Sequence, residues 1–458
     1  MSSSAFSRSR MTRTGILCLL LVAILNIVSA ANYAPEQIRL QYTGKDETEV
    51  VITYTTGASP SSDYKIYTTT PTTNCVYGTS ANTLSKRVKG ASHRFIEGLN
   101  YRADIHQCII TGLTKGRRYF YQVGDETQKD GVSTTYSFVA GPVKRWAIFG
   151  DYGVTNMDRS LDQLLKDGAD NVFDGVIHVG DIAYDLHNGK GKRGDDFHNY
   201  LQSITGNMPY MLVVGNHEKY ENFTHYANRY AALQHLGDNS KSDTLFWYSF
   251  NQPNVHFITF DTEVYSYYPD EAMIARQLRW MEADLQKYNT PEMRKKYPWI
   301  ISIAHKCDWQ DEVKYSDFRD LLHKYGVDLH ICGHQHNYQR LYPGLRQKVE
   351  VQADPNVFIN PSYWMQMVVG SPGCQEKISS GIAPYKNGVA SYFLSYGYGI
   401  LSVQNSTHLT WEWKQTHAAD SSKGDTLFDA AMIAVQKQDG SDIKDRMTLI
   451  QARHGMRT

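Results

Sequence analysis

The sequence predicts two folded units of different class: an all-β antiparallel sandwich followed by a layered α/β domain. The first observation is a period of two from about Pro35 to Pro142, where Ile38, Leu40 and Tyr42 alternate with Arg39 and Gln41, and Tyr101, Ala103 and Ile105 with Arg102 and Asp104. The second is a change beyond Lys144 to short apolar runs separated by stretches of helical spacing. The third is length, since 458 residues exceed what one hydrophobic core organises.

Residues 1–30 precede both units. Arg8, Arg10 and Arg13 lead into an apolar run from Gly15 to Val28, and Val28-Ser29-Ala30 offers small residues for cleavage, the pattern of a secretory signal peptide. The run is shorter than the ~20 residues that span a bilayer, so the mature chain is expected without a membrane anchor. Its destination is outside the cell or a lysosome-like compartment. Lys plus Arg and Asp plus Glu both number 47, and this zero balance gives no reason to expect a nucleic-acid partner.

The sandwich is assigned to residues 33–142. Turn-rich pieces such as Thr56-Gly57-Ala58-Ser59-Pro60 separate its strands, with no long helical pattern between them. The stretch Gly112-Leu113-Thr114-Lys115-Gly116-Arg117-Arg118-Tyr119-Phe120-Tyr121 resembles the tyrosine corner of fibronectin type III domains, where a Tyr closes the turn into a central strand.

The α/β unit is assigned to residues 144–416. Its expected strands are Trp146 to Phe149, Val176 to Val179, Tyr210 to Val214, Val255 to Phe260, Trp299 to Ala304, Val327 to Cys332 and Met365 to Val369. Between them, Leu278, Met281 and Leu285 share one helical face. The stretches Leu345 to Ser362 and Ser371 to Ser391 read as long loops, which often shape binding sites. Residues 417–458 form a more polar C-terminal extension, with a short amphipathic helix expected around Leu427 to Val435 and otherwise a solvated tail.

Cys18 leaves with the leader, so Cys75, Cys108, Cys307, Cys332 and Cys374 remain, an odd number for an oxidising compartment. At least one thiol stays free or pairs between chains, and a Cys75–Cys108 bond is left open, as is dimerisation. Asn222-Phe223-Thr224 and Asn405-Ser406-Thr407 are acceptor triplets for glycosylation, a pattern that also arises by chance.

Five clusters sit where strands should end: Gly150-Asp151-Tyr152-Gly153, Gly180-Asp181-Ile182-Ala183-Tyr184-Asp185, Gly215-Asn216-His217-Glu218, Ala304-His305 and Gly333-His334-Gln335-His336. The carboxyl ends of neighbouring strands in an α/β sheet converge on one crevice, so the clusters describe one site. Taken singly, each has a structural explanation: Gly-Asp is a turn or a helix cap, His305 a core histidine, and His-x-His two residues on one strand face. Together they place carboxylate, amide, imidazole and phenol beside glycines at strand ends, which is the demand of a metal site. No Cys-x-x-Cys pair is present, so an open catalytic site fits better than a closed thiolate one.

In order and identity these clusters resemble the purple acid phosphatases, within the calcineurin-like metallophosphoesterases, over nearly the whole mature chain. Tyr184 in Gly-Asp-x-x-Tyr is the most specific feature, and the sandwich ahead of the catalytic unit matches the long, plant-like form. The resemblance implies a four-layer α/β/β/α metallophosphoesterase domain preceded by a fibronectin type III-like sandwich. It implies that Asp151, Tyr184 and His336 bind iron(III), that Asn216, His305 and His334 bind a divalent iron, zinc or manganese, and that Asp181 bridges them. Anionic oxygen donors suit a hard trivalent ion, and imidazole with a neutral amide suits the divalent one.

The implied activity is that of an acid phosphatase on small phosphate monoesters, with a metal-bound hydroxide attacking phosphorus in line. His217 would then face the substrate, donating a hydrogen bond to phosphate and a proton to the leaving group, or else would orient a ligand. After His305 the chain departs from the family pattern of a proline and further histidines and reads Lys306-Cys307-Asp308-Trp309-Gln310-Asp311-Glu312. The second proton donor is therefore unassigned, with Asp308, Asp311, Glu312 and Lys314 either substituting for it or serving as ordinary loop charges. Two other readings share most of these residues: a dimetal phosphodiesterase or nucleotide pyrophosphatase, and a secreted binding protein whose metal site is structural.

Overall fold

A computed structural model of the chain describes residues 33–59, 70–98, 100–267, 270–309, 313–345, 348–351, 354–381, 383, 388–417 and 427–434. The leader expected at residues 1–30 lies outside them, as do Gln310, Asp311 and Glu312.

The N-terminal unit is a sandwich of two four-stranded antiparallel sheets. One runs in the order Glu36–Tyr42, Val50–Ser59, Tyr101–Ile110, Ala91–Glu97, and the other Lys86–Lys89, Asn74–Gly78, Arg118–Val123, Tyr136–Val139. Alternation sets which side chains meet between the sheets: Ile38, Leu40, Ile52, Tyr54, Tyr121 and Val123 are all buried in one cluster. The tyrosine corner is present, the Tyr119 hydroxyl accepting the Thr114 N–H at 3.0 Å. Thr56 to Ser59, expected as a turn, instead continues the second strand, with an irregular register that absorbs the Gly57 region.

The second unit holds two seven-stranded sheets packed face to face. The first is ordered Tyr210–Val213, Gly175–Val179, Arg145–Phe149, Tyr396–Val403, His408–His417, Leu427–Ala434, Val357–Ile359. The second is ordered Tyr248–Gln252, Val255–Thr259, Trp299–Ile303, Leu329–Cys332, Met365–Val369, Tyr338–Leu341, Val389–Phe393. Trp146 joins them, meeting Phe250 and Phe257 edge to face at 6.0 and 5.7 Å. Helices cover the outer faces, Leu161–Ala169 and Lys192–Thr205 on one side, Glu271–Tyr288 and Ser316–Lys324 on the other. Asp270 caps the 271–288 helix, accepting the Ala272 N–H at 2.9 Å, and Met281 and Leu285 are fully buried beneath it.

The expected helix around Leu427 to Val435 is a strand. Leu427–Ala434 inserts between His408–His417 and Val357–Ile359, hydrogen-bonded on both sides, and so belongs to the sheet. The alanine-rich stretch favours a helix locally, but two open strand edges and one buried ion pair outweigh propensity. Asp429 receives Arg340 Nε at 2.7 Å, Arg340 Nη2 at 2.8 Å and the Tyr338 hydroxyl at 2.6 Å. The Leu345 to Ser362 stretch is likewise not all loop, since Gly344–Leu345 pairs with Lys348–Val349 and Val357–Ile359 joins the first sheet.

The units share a polar, buried seam. Helix Lys192–Thr205 covers the sandwich edge strand, with Asn199 and Gln202 accepting the Gln37 and Ile38 N–H groups at 3.1 and 3.0 Å. Arg229 is the hub: it donates to Asp195 at 2.8 Å and to the Gly191 carbonyl at 2.9 Å, while Asp195 also receives Gln37 and the Tyr101 hydroxyl. A disulfide joins Cys307 to Cys332, and Cys75, Cys108 and Cys374 are free and buried, so the pairing left open for Cys75 and Cys108 is not formed.

Candidate metal centre

Five strand ends deliver the candidate donors, three from the first sheet and two from the second. Gly175–Val179 lies parallel between Arg145–Phe149 and Tyr210–Val213, so Asp151, Asp181 and Asn216 leave the same edge. Trp299–Ile303 and Leu329–Cys332 are parallel neighbours in the other sheet, placing His305 beside the turn that carries His334 and His336. The two edges are joined by the Gly150 N–H on the Val369 carbonyl at 2.9 Å, and within the first edge the Asp151 N–H donates to the Gly180 carbonyl at 2.9 Å.

The glycines in these clusters have a spatial cause. A methylene at Gly215 would lie 2.4 Å from Asp181 Oδ1, and one at Gly333 2.5 Å from Asp151 Oδ2. Strand ends carrying any side chain there would push the donors apart. Asp151, Asp181, Tyr184 and His334 themselves adopt φ of 58°, 53°, 46° and 64°, left-handed conformations that cost roughly 1–3 kcal/mol each in non-glycine residues. The surrounding bonds hold them there.

All seven candidate donors come together, in two groups. In one, the Tyr184 hydroxyl is 2.8 Å from His336 Nε2 and 3.3 Å from Asp151 Oδ1, and His336 Nε2 is 3.4 Å from the same Asp151 oxygen. In the other, His305 Nε2 lies 3.2 Å from Asp181 Oδ2 and 3.1 Å from Asn216 Oδ1, and donor atoms of Asp181, His305 and His334 all fall within 4.8 Å of one another. His305 Nδ1 is taken by the Val179 carbonyl at 2.8 Å, and His336 Nδ1 by the Lys377 carbonyl at 3.1 Å, which leaves each Nε2 turned toward its group.

The electrostatics are those of a site built for cations. Burial alone would push the Asp181 carboxyl up, but His305, His217 and His334 hold it well below the usual range. His305 and His336 move the other way: burial disfavours their charge, yet Asp181 and Asp151 raise them to about 10 and about 11. Burial pushes His334 down to about 3, a neutral imidazole with an available lone pair. Carboxylates, a phenol, an amide oxygen and three imidazoles thus converge, with protons held on His305 and His336 by Asp181 and Asp151 where cations would replace them, a donor set that fits two metal ions.

His217 stands at the rim. Its Nδ1 is 2.5 Å from Asp185 Oδ1, its ring stacks obliquely on Tyr184 at 4.3 Å, and its Nε2 points inward, 4.0 Å from Asp181 Oδ2 and 3.5 Å from Glu376 Oε1. Burial lowers its pKa, but the Asp185 bond and the nearby carboxylates win and carry it to about 9.

Sequence reasoning assigned no role to Glu218, Asp185 or Glu376. Glu218 is buried and accepts three backbone N–H groups from two donor loops, those of Gly215 at 2.8 Å, Asp181 at 3.0 Å and Ile182 at 2.8 Å. Burial pushes its carboxyl up, yet both oxygens already accept, which only the ionised form does without conflict. Glu218 and Asp185 were inside the motif clusters and carried that signal. Glu376 lies in the 371–391 stretch, where nothing but a long loop after a strand marked it. Asp308 turns away into a small cavity with Trp364 and Gln366, while Lys306 and Lys314 bond Glu263 and Ser266 at 2.7 and 3.0 Å.

Comparison with known proteins agrees with this arrangement. Residues 35–140 match the family model for the purple acid phosphatase N-terminal domain, residues 144–338 that for calcineurin-like phosphoesterases, and residues 364–426 that for the iron/zinc purple acid phosphatase-like protein C region. Acid phosphatase type 7 of Danio rerio is 31% identical over 454 residues, covering 92% of each chain. The Homo sapiens protein of that name is 30% identical, covering 86% of this chain and 91% of its own. A purple acid phosphatase from yellow lupin seeds superposes with a TM-score of 0.67 at 23% identity, over 90% of this chain and 76% of its own, a likeness of fold.

Proposed function

Because the chain belongs to the purple acid phosphatases, acid phosphatases that hydrolyse phosphate monoesters with a two-metal centre, we propose that its seven donors divide as they are grouped in space. Asp151, Tyr184 and His336 hold iron(III); Asn216, His305 and His334 hold a divalent iron, zinc or manganese; Asp181 serves both. The observation that carries this reading is the pair of converging donor groups, one containing the phenol and the other two imidazoles and the amide.

When bound, the two ions supply Lewis acidity toward the phosphate oxygens and toward water. The chain's own residues do the rest. Asp185 fixes the His217 ring through Nδ1, so that Nε2 faces the substrate side, where it donates a hydrogen bond to phosphate and a proton to the departing alkoxide. Glu218 ties the Asp181 and Asn216 loops into one unit, so the donors arrive already spaced. Full-length likeness to acid phosphatases favours monoesters over the diesterase and binding-protein readings.

Secretion and glycosylation belong to the same proposal. The leader pattern supports the first, and exposed Asn222 and Asn405 support the second. Among the described residues no helix is long and apolar enough to cross a membrane.

The test is the visible spectrum of the purified protein together with its metal content. Tyr184 bound to iron(III) gives a phenolate charge-transfer band that Tyr184→Phe abolishes. An active, colourless protein containing two metals and no iron would overturn the iron assignment while leaving the phosphatase intact.

A further inference from the structure

The chain between the donor Tyr184 and the helix Lys192–Thr205 is short and leaves nothing slack. Ala183, Tyr184 and Gly191 have φ of 68°, 46° and 80°. Left-handed backbone at residues other than glycine persists only where neighbours hold it. Within this segment the Asn188 N–H donates to the Asp185 carbonyl at 3.0 Å, the Gly191 N–H to the His187 carbonyl at 2.8 Å and the Arg193 N–H to the Asn188 carbonyl at 3.1 Å. Asn188 Nδ2 also donates at 3.1 Å to Asp185 Oδ2, the carboxylate whose other oxygen meets His217. A displacement of Gly191 is therefore carried turn by turn to Asp185 and Tyr184.

Two side chains anchor the segment, one from each folded unit. Tyr101, from the sandwich, is fully buried against Gly191: a methylene there would lie 2.2 Å from its ring. Its hydroxyl donates to Asp195 Oδ1 at 2.7 Å, one turn further along. The Arg229 guanidinium closes the contact, 4.7 Å over the same ring with Nη2 on the Gly191 carbonyl at 2.9 Å. Arg193, in the first turn of the helix, reaches back toward the metal centre. Its Nη1 donates to the Tyr184 carbonyl at 2.5 Å and to Gln375 Oε1. Gln375 precedes Glu376, which lies 3.5 Å from His217 Nε2, and Lys377, whose carbonyl meets His336 Nδ1 at 3.1 Å. One guanidinium nitrogen thus ties together two loops that flank the site.

We infer that Tyr101 and Arg193 are positioning residues for the phosphatase reaction. The sandwich sets the first helical turn through the Tyr101 ring on Gly191, and Arg193 on that turn sets the Tyr184–Asp185 loop and the Gln375 turn around the substrate. The N-terminal unit is then part of the catalytic apparatus rather than a passive support. Without the hold, the segment relaxes from its left-handed backbone and His217 loses the orientation that Asp185 gives it. The inference rests on the roles proposed above for Tyr184 and His217.

The experiment uses the full chain with Tyr101→Leu, Arg193→Gln and both together. Hydrogen exchange by mass spectrometry on the metal-free protein reads peptides covering residues 184–191 and 371–377, and kcat and KM on p-nitrophenyl phosphate are read on the loaded enzyme. Each single variant should speed exchange in both peptides and lower kcat about tenfold, the worth of one charge-assisted hydrogen bond, with KM little changed. Because the two residues act through one hold, the double variant should match the worse single variant within about twofold, and losses that multiply overturn the coupling. If Tyr101 is only a seam contact, exchange rises in the 101–110 and 192–205 peptides alone and kcat stays at wild type, which overturns the inference. Should Tyr101→Leu fail to fold, Arg193→Gln decides, since its partners Tyr184 and Gln375 lie in the catalytic unit: wild-type kcat and exchange there overturn it equally. Full turnover in His217→Ala would remove the roles on which the inference rests, and is told apart because the exchange changes would persist.

Discussion

Glu218→Gln tests whether the two donor loops are held as one unit. The wild-type carboxylate accepts the Gly215 and Asp181 N–H groups on Oε2 and the Ile182 N–H on Oε1. Glutamine has one acceptor oxygen. Placed at the Oε2 position it keeps two donors, and its amide nitrogen then faces the Ile182 N–H donor to donor. One buried donor without a partner costs roughly 1–3 kcal/mol, and the two surviving bonds lose charge assistance worth about 1 kcal/mol each. The total is about 4 kcal/mol, or roughly a 1000-fold loss of the population with both loops in place. The measurement is kcat/KM on p-nitrophenyl phosphate with metal per chain by mass spectrometry, and circular dichroism as the check on folding. Turnover within threefold of wild type at full metal content would refute the reasoning, because it would mean the carboxyl is neutral and glutamine its isostere.

Three further outcomes follow from the packing. His330, buried with Nδ1 2.9 Å from Ser302 Oγ, is pushed by burial down to about 3, below its unfolded value. The unfolded chain takes up that proton as pH falls below about 6.5 while the folded chain does not, so stability is lost on acidification toward pH 3. His330→Gln should flatten the dependence by about 1.4 kcal/mol per pH unit in urea titrations between pH 6.5 and 4.5, and a constant offset from wild type would sink the idea. Replacing Cys307 and Cys332 together by Ala, opening a loop of sequence separation 25 between the His305 and His334 turns, should cost about 3 kcal/mol and lower the melting temperature; an unchanged melt counts against it. Asp429→Asn should cost about 3 kcal/mol by leaving the buried Arg340 guanidinium short of its charge partner, checked by denaturant midpoint, with no shift as the contrary result.

Much of this was legible in the sequence because strand ends in α/β proteins carry their function locally. Asp151, Asp181, Asn216, His305 and His334 each follow an apolar run within a residue or two, and glycines beside them mark backbone that must pass close to a donor. The sandwich was readable from strict alternation and from Tyr119. What escaped had non-local causes. Glu376 acts from a loop with no periodicity, and its approach to His217 depends on how the 371–377 turn folds over both sheets. Asp308 looked like a loop charge beside a ligand, but Arg319 and Gln366 draw it into the interior, where burial pushes its carboxyl up to about 6. Leu427–Ala434 has the composition of a helix and becomes a strand only because His408–His417 and Val357–Ile359 leave room for it.

That last strand has a consequence for how the protein is made. It lies between two strands synthesised before it, so neither His408–His417 nor Val357–Ile359 has its partner on that side until nearly the whole chain has left the ribosome. The sandwich, complete by Val139, is free to fold far earlier. The nascent catalytic unit therefore waits with an open seam, and a message cut short of Asp429 yields a chain with a finished sandwich, every metal donor, and a first sheet that stops at His408–His417 with Val357–Ile359 left beside an empty place.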